Sequence, residues 1–173
     1  ELNEAILTRR SVRKLTDYYV TDKEINSILE AAQWAPSWAN TQCWEIIVIR
    51  DRELIQQVTE TYSDTNPARK CSLAASALIA VAGKTDLPGF KEGIARTKFN
   101  SWFMFDLGIA VQNMSLKAHG MGLGTVIVGS LDHDKCAELL GVKKPYEIAV
   151  ILPVGKPVEL KKEGPKRREI GRA

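Results

Sequence analysis

The alternation of apolar and polar positions already divides the chain into elements. Leu2, Ile6 and Leu7 recur at helical spacing, so residues 2–9 are predicted to form a short helix running into Arg9-Arg10-Ser11-Val12-Arg13. Thr21-Asp22-Lys23-Glu24 has the form of a capping box, with Thr21 as N-cap and Glu24 reaching back. A helix follows, with Ile25, Ile28, Leu29 and Ala32 on its buried face, and Pro36 ends it. Residues 35–43 are a loop. Trp44-Glu45-Ile46-Ile47-Val48-Ile49 is rich in β-branched residues and predicts a buried strand. A helix is expected over 54–61, and a second core strand over 76–82. Turn formers over 84–93 predict a surface excursion. Residues 99–119 are apolar almost all round, the pattern of a central helix buried on most sides. A third strand is expected over 125–128. A helix over 134–140 stops at Gly141, and a fourth strand runs over 148–154.

Strands and helices thus mix without a regular β-α-β-α alternation, which favours an α+β class. With 173 residues and no internal repeat or linker, the chain is expected to form one domain, residues 158–173 being a basic extension. Charge sharpens this picture. The net charge is +3. Yet residues 161–172 hold Lys161, Lys162, Lys166, Arg167, Arg168 and Arg172 against Glu163 and Glu169, so residues 1–160 sum to −1. A nucleic-acid footprint is therefore not expected. Instead, two local basic clusters are candidates for binding one anion.

Cys43, Cys71 and Cys136 are widely spaced and form no C-x-x-C pair, which argues against a local zinc or iron–sulfur motif. Sparse thiols fit a reducing, cytoplasmic compartment. The longest strongly apolar stretch, residues 72–83, is too short to cross a bilayer, and the acidic start does not resemble a signal peptide. His119 and His133 lie in no metalloprotease pattern, and no G-x-S-x-G is present. Little acid–base or nucleophile chemistry is borne by the protein itself, so an enzyme built on this chain would lean on a cofactor. The glycines Gly120, Gly122 and Gly124 do not make a dinucleotide fingerprint. A helix precedes them and a strand follows, the reverse of the order that presents a helix N-terminus to pyrophosphate. They read as a helix end and a tight turn.

Two segments carry chemistry. Arg9, Arg10, Ser11 and Arg13 offer guanidinium forks and a hydroxyl, a donor set that matches phosphate oxygens. The loop Ala35-Pro36-Ser37-Trp38-Ala39-Asn40-Thr41-Gln42-Cys43-Trp44 carries the planar amides of Asn40 and Gln42, suited to reading ring heteroatoms, and a flat stacking surface in Trp38. Trp44 reads as core.

Several motifs taken in order resemble the nitroreductase family of FMN-dependent flavoproteins. They are Arg9-Arg10-Ser11-Val12-Arg13; Ala35-Pro36-Ser37 with Asn40, Gln42 and Trp44; Asp106-Leu107-Gly108-Ile109-Ala110-Val111-Gln112-Asn113; Gly122-Leu123-Gly124 before Val128-Gly129; Leu140-Gly141-Val142; Gly155-Lys156-Pro157; and the basic tail. The resemblance implies an FMN-binding α+β fold, with a mainly antiparallel sheet flanked by helices, in a homodimer with flavin sites at the subunit interface. It implies that Arg9, Arg10, Ser11 and Arg13 grip the FMN phosphate and ribityl chain and reach the pyrimidine edge. It gives Lys166 and Arg168 as a basic pair completing the phosphate site, with Arg167 replacing Arg168 if the register slips by one. It implies that the main-chain N–H groups of Val128 and Gly129 face flavin N5 and O4. Pro36, Ser37, Trp38, Asn40 and Gln42 would meet the flavin of the other subunit. A further contact is open among Asn66, Arg69 and Lys70. Cys43 stands where the family often has proline, which would place a thiol near the flavin.

The activity so implied is ping-pong hydride transfer from NAD(P)H through flavin N5 to a nitroaromatic, quinone or related small-molecule acceptor, with no catalytic side chain and no metal. The alternative is a flavin-binding or redox-sensing protein without turnover, its ring face crowded by Trp38, Trp102, Phe103 and Phe105.

Overall fold

The computed structural model describes residues 1–159, 164–169 and 171. Lys161, Lys162 and Arg172 of the basic tail lie outside the described residues.

The core is organised by one strand. β2 (Ala77–Lys84) is buried along nearly its whole length. It pairs antiparallel with β1 (Trp44–Ile49) on one side and β6 (Tyr146–Gly155) on the other. The short β5 (Gly124–Thr125) completes an all-antiparallel sheet of order β1-β2-β6-β5. Successive side chains of a strand point to opposite faces, and here both faces are covered. Ala77, Ile79 and Val81 join a cluster with α2 (Asp22–Gln33) and α5 (Trp102–Gly120). Leu78, Ala80 and Ala82 join another with α3 (Arg52–Glu60), α4 (Arg69–Ala74) and α6 (His133–Leu140). The result is a sheet sandwiched between two helical layers, an α+β architecture.

Local chemistry sets the helix ends. Thr21 and Glu24 form the full reciprocal capping box on α2. Asp51 and Asp132 accept the N–H groups of Leu54 and Lys135, capping α3 and α6. Gly141, at φ 68°, closes α6 in the left-handed conformation that glycine adopts at least cost.

The structure departs from the pattern reading in four places. The excursion after β2 contains a small hairpin, β3 (Phe90–Lys91) with β4 (Ile94–Ala95). α4 was not legible as an element. α5 begins at Trp102 rather than at residue 99. The third strand is two residues long instead of four: after Thr125 the chain leaves the ladder, then touches it again at Val128, which pairs with Ile151 in a single bridge. The outer edge of β5 is taken by the segment after α1 (Leu2–Thr8). Ser11 bridges Thr125 in parallel, and the Val12 N–H donates to the Thr125 carbonyl at 2.9 Å. The approach is so close that a Cβ at Gly124 would lie 2.6 Å from Val12 Cγ2.

α5 also differs from its expected burial. Phe103, Leu107, Ala110, Val111, Met114 and Ala118 are buried, but Met104 and Phe105 are exposed, Phe105 at 61%. With exposed Gly108 and half-buried Ile109 and Leu116 they form an apolar stripe that this single chain leaves open.

Candidate functional site

The arginine turn follows from the end of α1. Arg9 leaves the helix with an extended backbone, and Arg10 folds back so that Nη1 donates to the Leu7 and Arg9 carbonyls at 2.7 and 2.9 Å. That bond caps a helix end and fixes the guanidinium. Arg10 also lines a cavity of about 680 Å³. Among the described residues its walls carry Arg9, Arg10, Arg13, Lys14 and Arg167, with Glu159 as the one carboxylate. Ser11 and the tail residues Gly164 and Pro165 also line it. The two basic clusters, far apart in sequence, therefore share one cavity. The tail lies so near that a Cβ at Gly164 would fall 2.4 Å from Arg10 Nε.

Two features of the cavity suit an anion. Arg10 Nε is buried against Gly164 and has no hydrogen-bond partner among the described residues, a costly state for a charged donor. Burial, and after it the charges of Arg10 and Arg167, hold the Arg9 guanidinium below its ordinary value. Cations crowded into mutual repulsion gain most from an incoming anion. The size is that of a typical cofactor site. Arg167 is the basic tail residue among the described walls; Lys166 and Arg168 do not line it.

The segment after β5 meets the expectation only in part. The Val128 N–H donates to the Ile151 carbonyl at 2.9 Å, and the Val128 carbonyl accepts the Ile151 N–H at the same distance. This corrects the expected pair of ligand-facing donors: Val128 spends its N–H inside the sheet. Gly129, exposed, keeps an N–H that takes no acceptor among the described residues. Neighbouring side chains pin this segment. Asn66 Nδ2 donates to the Ser130 carbonyl at 3.1 Å while its Oδ1 accepts the Ala68 N–H at 2.9 Å. Arg69 donates to the Tyr62 carbonyl at 2.8 Å. Asn66 and Arg69 thus have structural partners, whereas Lys70 is exposed.

The loop after α2 lines no part of the arginine cavity. Pro36, Asn40 and Gln42 are exposed, and Ser37 and Trp38 half-buried. Trp38–Asn40 make a single 3-10 turn, and Ala39, Asn40 and Gln42 all take positive φ, 46°, 56° and 47°. Three non-glycine residues in this region are unusual and mark a backbone held by its surroundings. Trp38 packs edge-on against Trp102 with centroids 5.0 Å apart, and Trp102 leans on Phe105. Phe103 is buried in the core cluster shared by α2, α5 and the sheet. Cys43 is 2% exposed, so it is not a solvent-facing thiol. Burial, then the charge of Asp106, pushes it up to about 11. Asp106, within the motif of α5 but with no role foreseen, accepts the Trp38 N–H at 3.0 Å.

A family profile described as "Nitroreductase family" matches residues 6–156. The chain belongs to the nitroreductase family. Among relatives of this chain, one from Archaeoglobus fulgidus that carries the name NADH dehydrogenase/NAD(P)H nitroreductase is 30% identical over 165 residues, 93% of this chain and 88% of the relative. An FMN reductase (NADPH) of Bacillus subtilis is 27% identical, covering 94% of this chain and 68% of its own. The solved FMN-dependent nitroreductase of Clostridium difficile superposes with a TM-score of 0.78 at 25% identity, covering 92% of this chain and 90% of that one. No helix among the described residues is long and apolar enough to cross a membrane.

Proposed function

We propose that this nitroreductase is an NAD(P)H-dependent flavin oxidoreductase that holds FMN by its phosphate in the arginine cavity. The observation that carries the reading is the convergence of Arg9, Arg10, Arg13, Lys14 and Arg167 on one cavity. The relatives named as FMN-dependent nitroreductase and FMN reductase support it. Arg9, Arg10, Arg13 and Arg167 would bind the phosphate oxygens, with Ser11 at the ribityl chain. Lys166 and Arg168 would contribute long-range charge from outside the walls. Gly129 would offer its free N–H to the N5 and O4 edge, a preorganised donor for negative charge developing there.

The chemistry FMN supplies when bound is hydride transfer at N5, from NAD(P)H to a nitroaromatic or quinone acceptor in alternating ping-pong half-reactions. The chain's part is to orient both reactants over one pocket and to exclude competing geometries. Pro36, Ser37, Trp38, Asn40 and Gln42 would serve the flavin of a second copy, since they stand apart from their own chain's arginine cavity. The open stripe of α5, with exposed Leu2, Ile6 and Leu7 on α1, is the surface such a copy would cover.

The test is a visible spectrum of the purified protein, followed by stopped-flow reduction with NADH and NADPH. A yellow protein reduced by either nicotinamide and reoxidised by a quinone or nitroaromatic supports the proposal. A colourless protein that FMN cannot reconstitute sinks it. Flavin binding without acceptor-stimulated NAD(P)H oxidation would leave a flavin-binding or redox-sensing protein.

A further inference from the structure

We propose that Asp106 is a positioning residue: its buried carboxylate latches the loop 37–43 to α5 and so fixes the backbone presented to the flavin. The inference rests on the reading of that loop given above. Asp106 is 1% exposed, in a helix whose other buried positions are apolar or small. A carboxylate there is unfavourable unless donors reach it. Both that reach it come from the loop. The Trp38 N–H donates to Oδ2 at 3.0 Å, and Cys43 Sγ lies 3.9 Å from the same oxygen. One atom therefore gathers the two ends of the stretch that contains Ala39, Asn40 and Gln42 at positive φ.

The remaining polar contacts do not substitute for it. Asn40 N–H to Ser37 carbonyl, Thr41 N–H to Trp38 carbonyl and Gln42 N–H to Ser37 Oγ, at 2.9–3.0 Å, hold the turn to itself. The Lys84 N–H to the Cys43 carbonyl, at 2.8 Å, ties only the far end to β2. At the near end, the edge contact of Trp38 with Trp102 is apolar and undirected. Asp106 supplies the directed fastening. Cys43 fits the same arrangement: its thiol is kept protonated by burial, then by Asp106, so it acts as a donor to the latch and not as a nucleophile.

The experiment compares Asp106→Leu, which fills the volume without an acceptor, with Asp106→Asn, whose Oδ1 still accepts the Trp38 N–H. Two quantities are read on the full chain: the exchange rate of the Trp38 amide hydrogen and the FMN dissociation constant. Asp106→Leu is expected to speed Trp38 exchange by about ten- to hundredfold, the scale of a hydrogen bond to a charged group, and to weaken FMN by about tenfold. Asp106→Asn is expected to keep both within about threefold of the native chain. Unchanged Trp38 exchange in Asp106→Leu overturns the latch. Faster exchange with unchanged FMN affinity and spectrum overturns the link from loop to flavin, while the arginine-cavity reading stands or falls by its own variants. Should Asp106→Leu not fold, Asp106→Ala carries the same comparison against Asp106→Asn.

Discussion

The arginine cavity and the Trp38 loop are built by opposite means. The cavity gathers charge. Its key residues lie in two dense clusters, Arg9 to Lys14 and the tail around Arg167, and their proximity costs Arg9 some of its affinity for a proton. The loop gathers no charge of its own. It relies on positive φ at three residues, an edge-on tryptophan pair and one carboxylate borrowed from a helix 68 residues away in sequence. A charge cluster acts over several ångströms and tolerates small displacements; a backbone in the left-handed region does not. The first should therefore supply most of the grip on an anionic cofactor, and the second, whose backbone adds a smaller part of that grip, should decide what sits over it.

The largest expected effect tests the cavity. Arg10→Ala should raise the FMN dissociation constant by about a hundredfold, since it removes a charge-assisted clamp and the cap on α1. Titration of apoprotein with FMN, followed by fluorescence, reads this directly. Unchanged affinity in both Arg9→Ala and Arg10→Ala would remove the phosphate assignment. Next, Arg167→Ala should weaken FMN by about tenfold and Arg168→Ala by less than about twofold, as only the former lines the cavity. The reverse order would put Arg168 at the phosphate.

Trp38→Ala asks whether the loop acts separately. It should change the ratio of kcat/KM for a quinone and a nitroaromatic by about three- to tenfold, with FMN affinity nearly unmoved. Equal losses in both would erase the distinction between the two regions.

The smallest effect is in pH. Burial raises the Asp106 carboxyl above its ordinary value, while the Trp38 N–H and then the Cys43 thiol work the other way. A carboxyl raised in the fold contributes stability that is complete below its unfolded value, about 3.9, and fades as pH rises through the folded value. The urea midpoint of native protein, minus that of Asp106→Asn, should accordingly fall as pH is raised from about 4. A flat difference would mean that Asp106 titrates as it does in the unfolded chain.

Most of the architecture was legible because it rests on local rules. The Thr21–Glu24 capping box, the two-sided burial of β2 and the glycine stop at Gly141 are written in neighbouring residues. α4 was not legible, because six residues are too few to show a helical period and it is held by tertiary packing. β5 was overread, because Thr125-Val126-Ile127-Val128 has strand chemistry throughout, yet the chain leaves the β6 ladder after Thr125 and returns to it only at the Val128–Ile151 bridge. The cavity could be anticipated from clustered arginines, but the choice of Arg167 depends on where the tail lies. Asp106 was visible as a motif residue and silent as to role. Its partner is a main-chain N–H, and a main-chain N–H leaves no mark in a sequence.

Gly124 joins two parts of the molecule. It lies where the arginine turn is laid against the sheet, with Val12 closer than any side chain would permit. The smallest enlargement there, a methyl group, must shift the strand edge or lift the turn that carries Arg9 and Arg10. For anyone seeking to evolve or engineer this protein, the position is a point of pleiotropy: a change meant for one trait, fold robustness or cofactor retention, will be inherited by the other. Improvement of either is better sought at sites where the sheet and the turn do not share a wall.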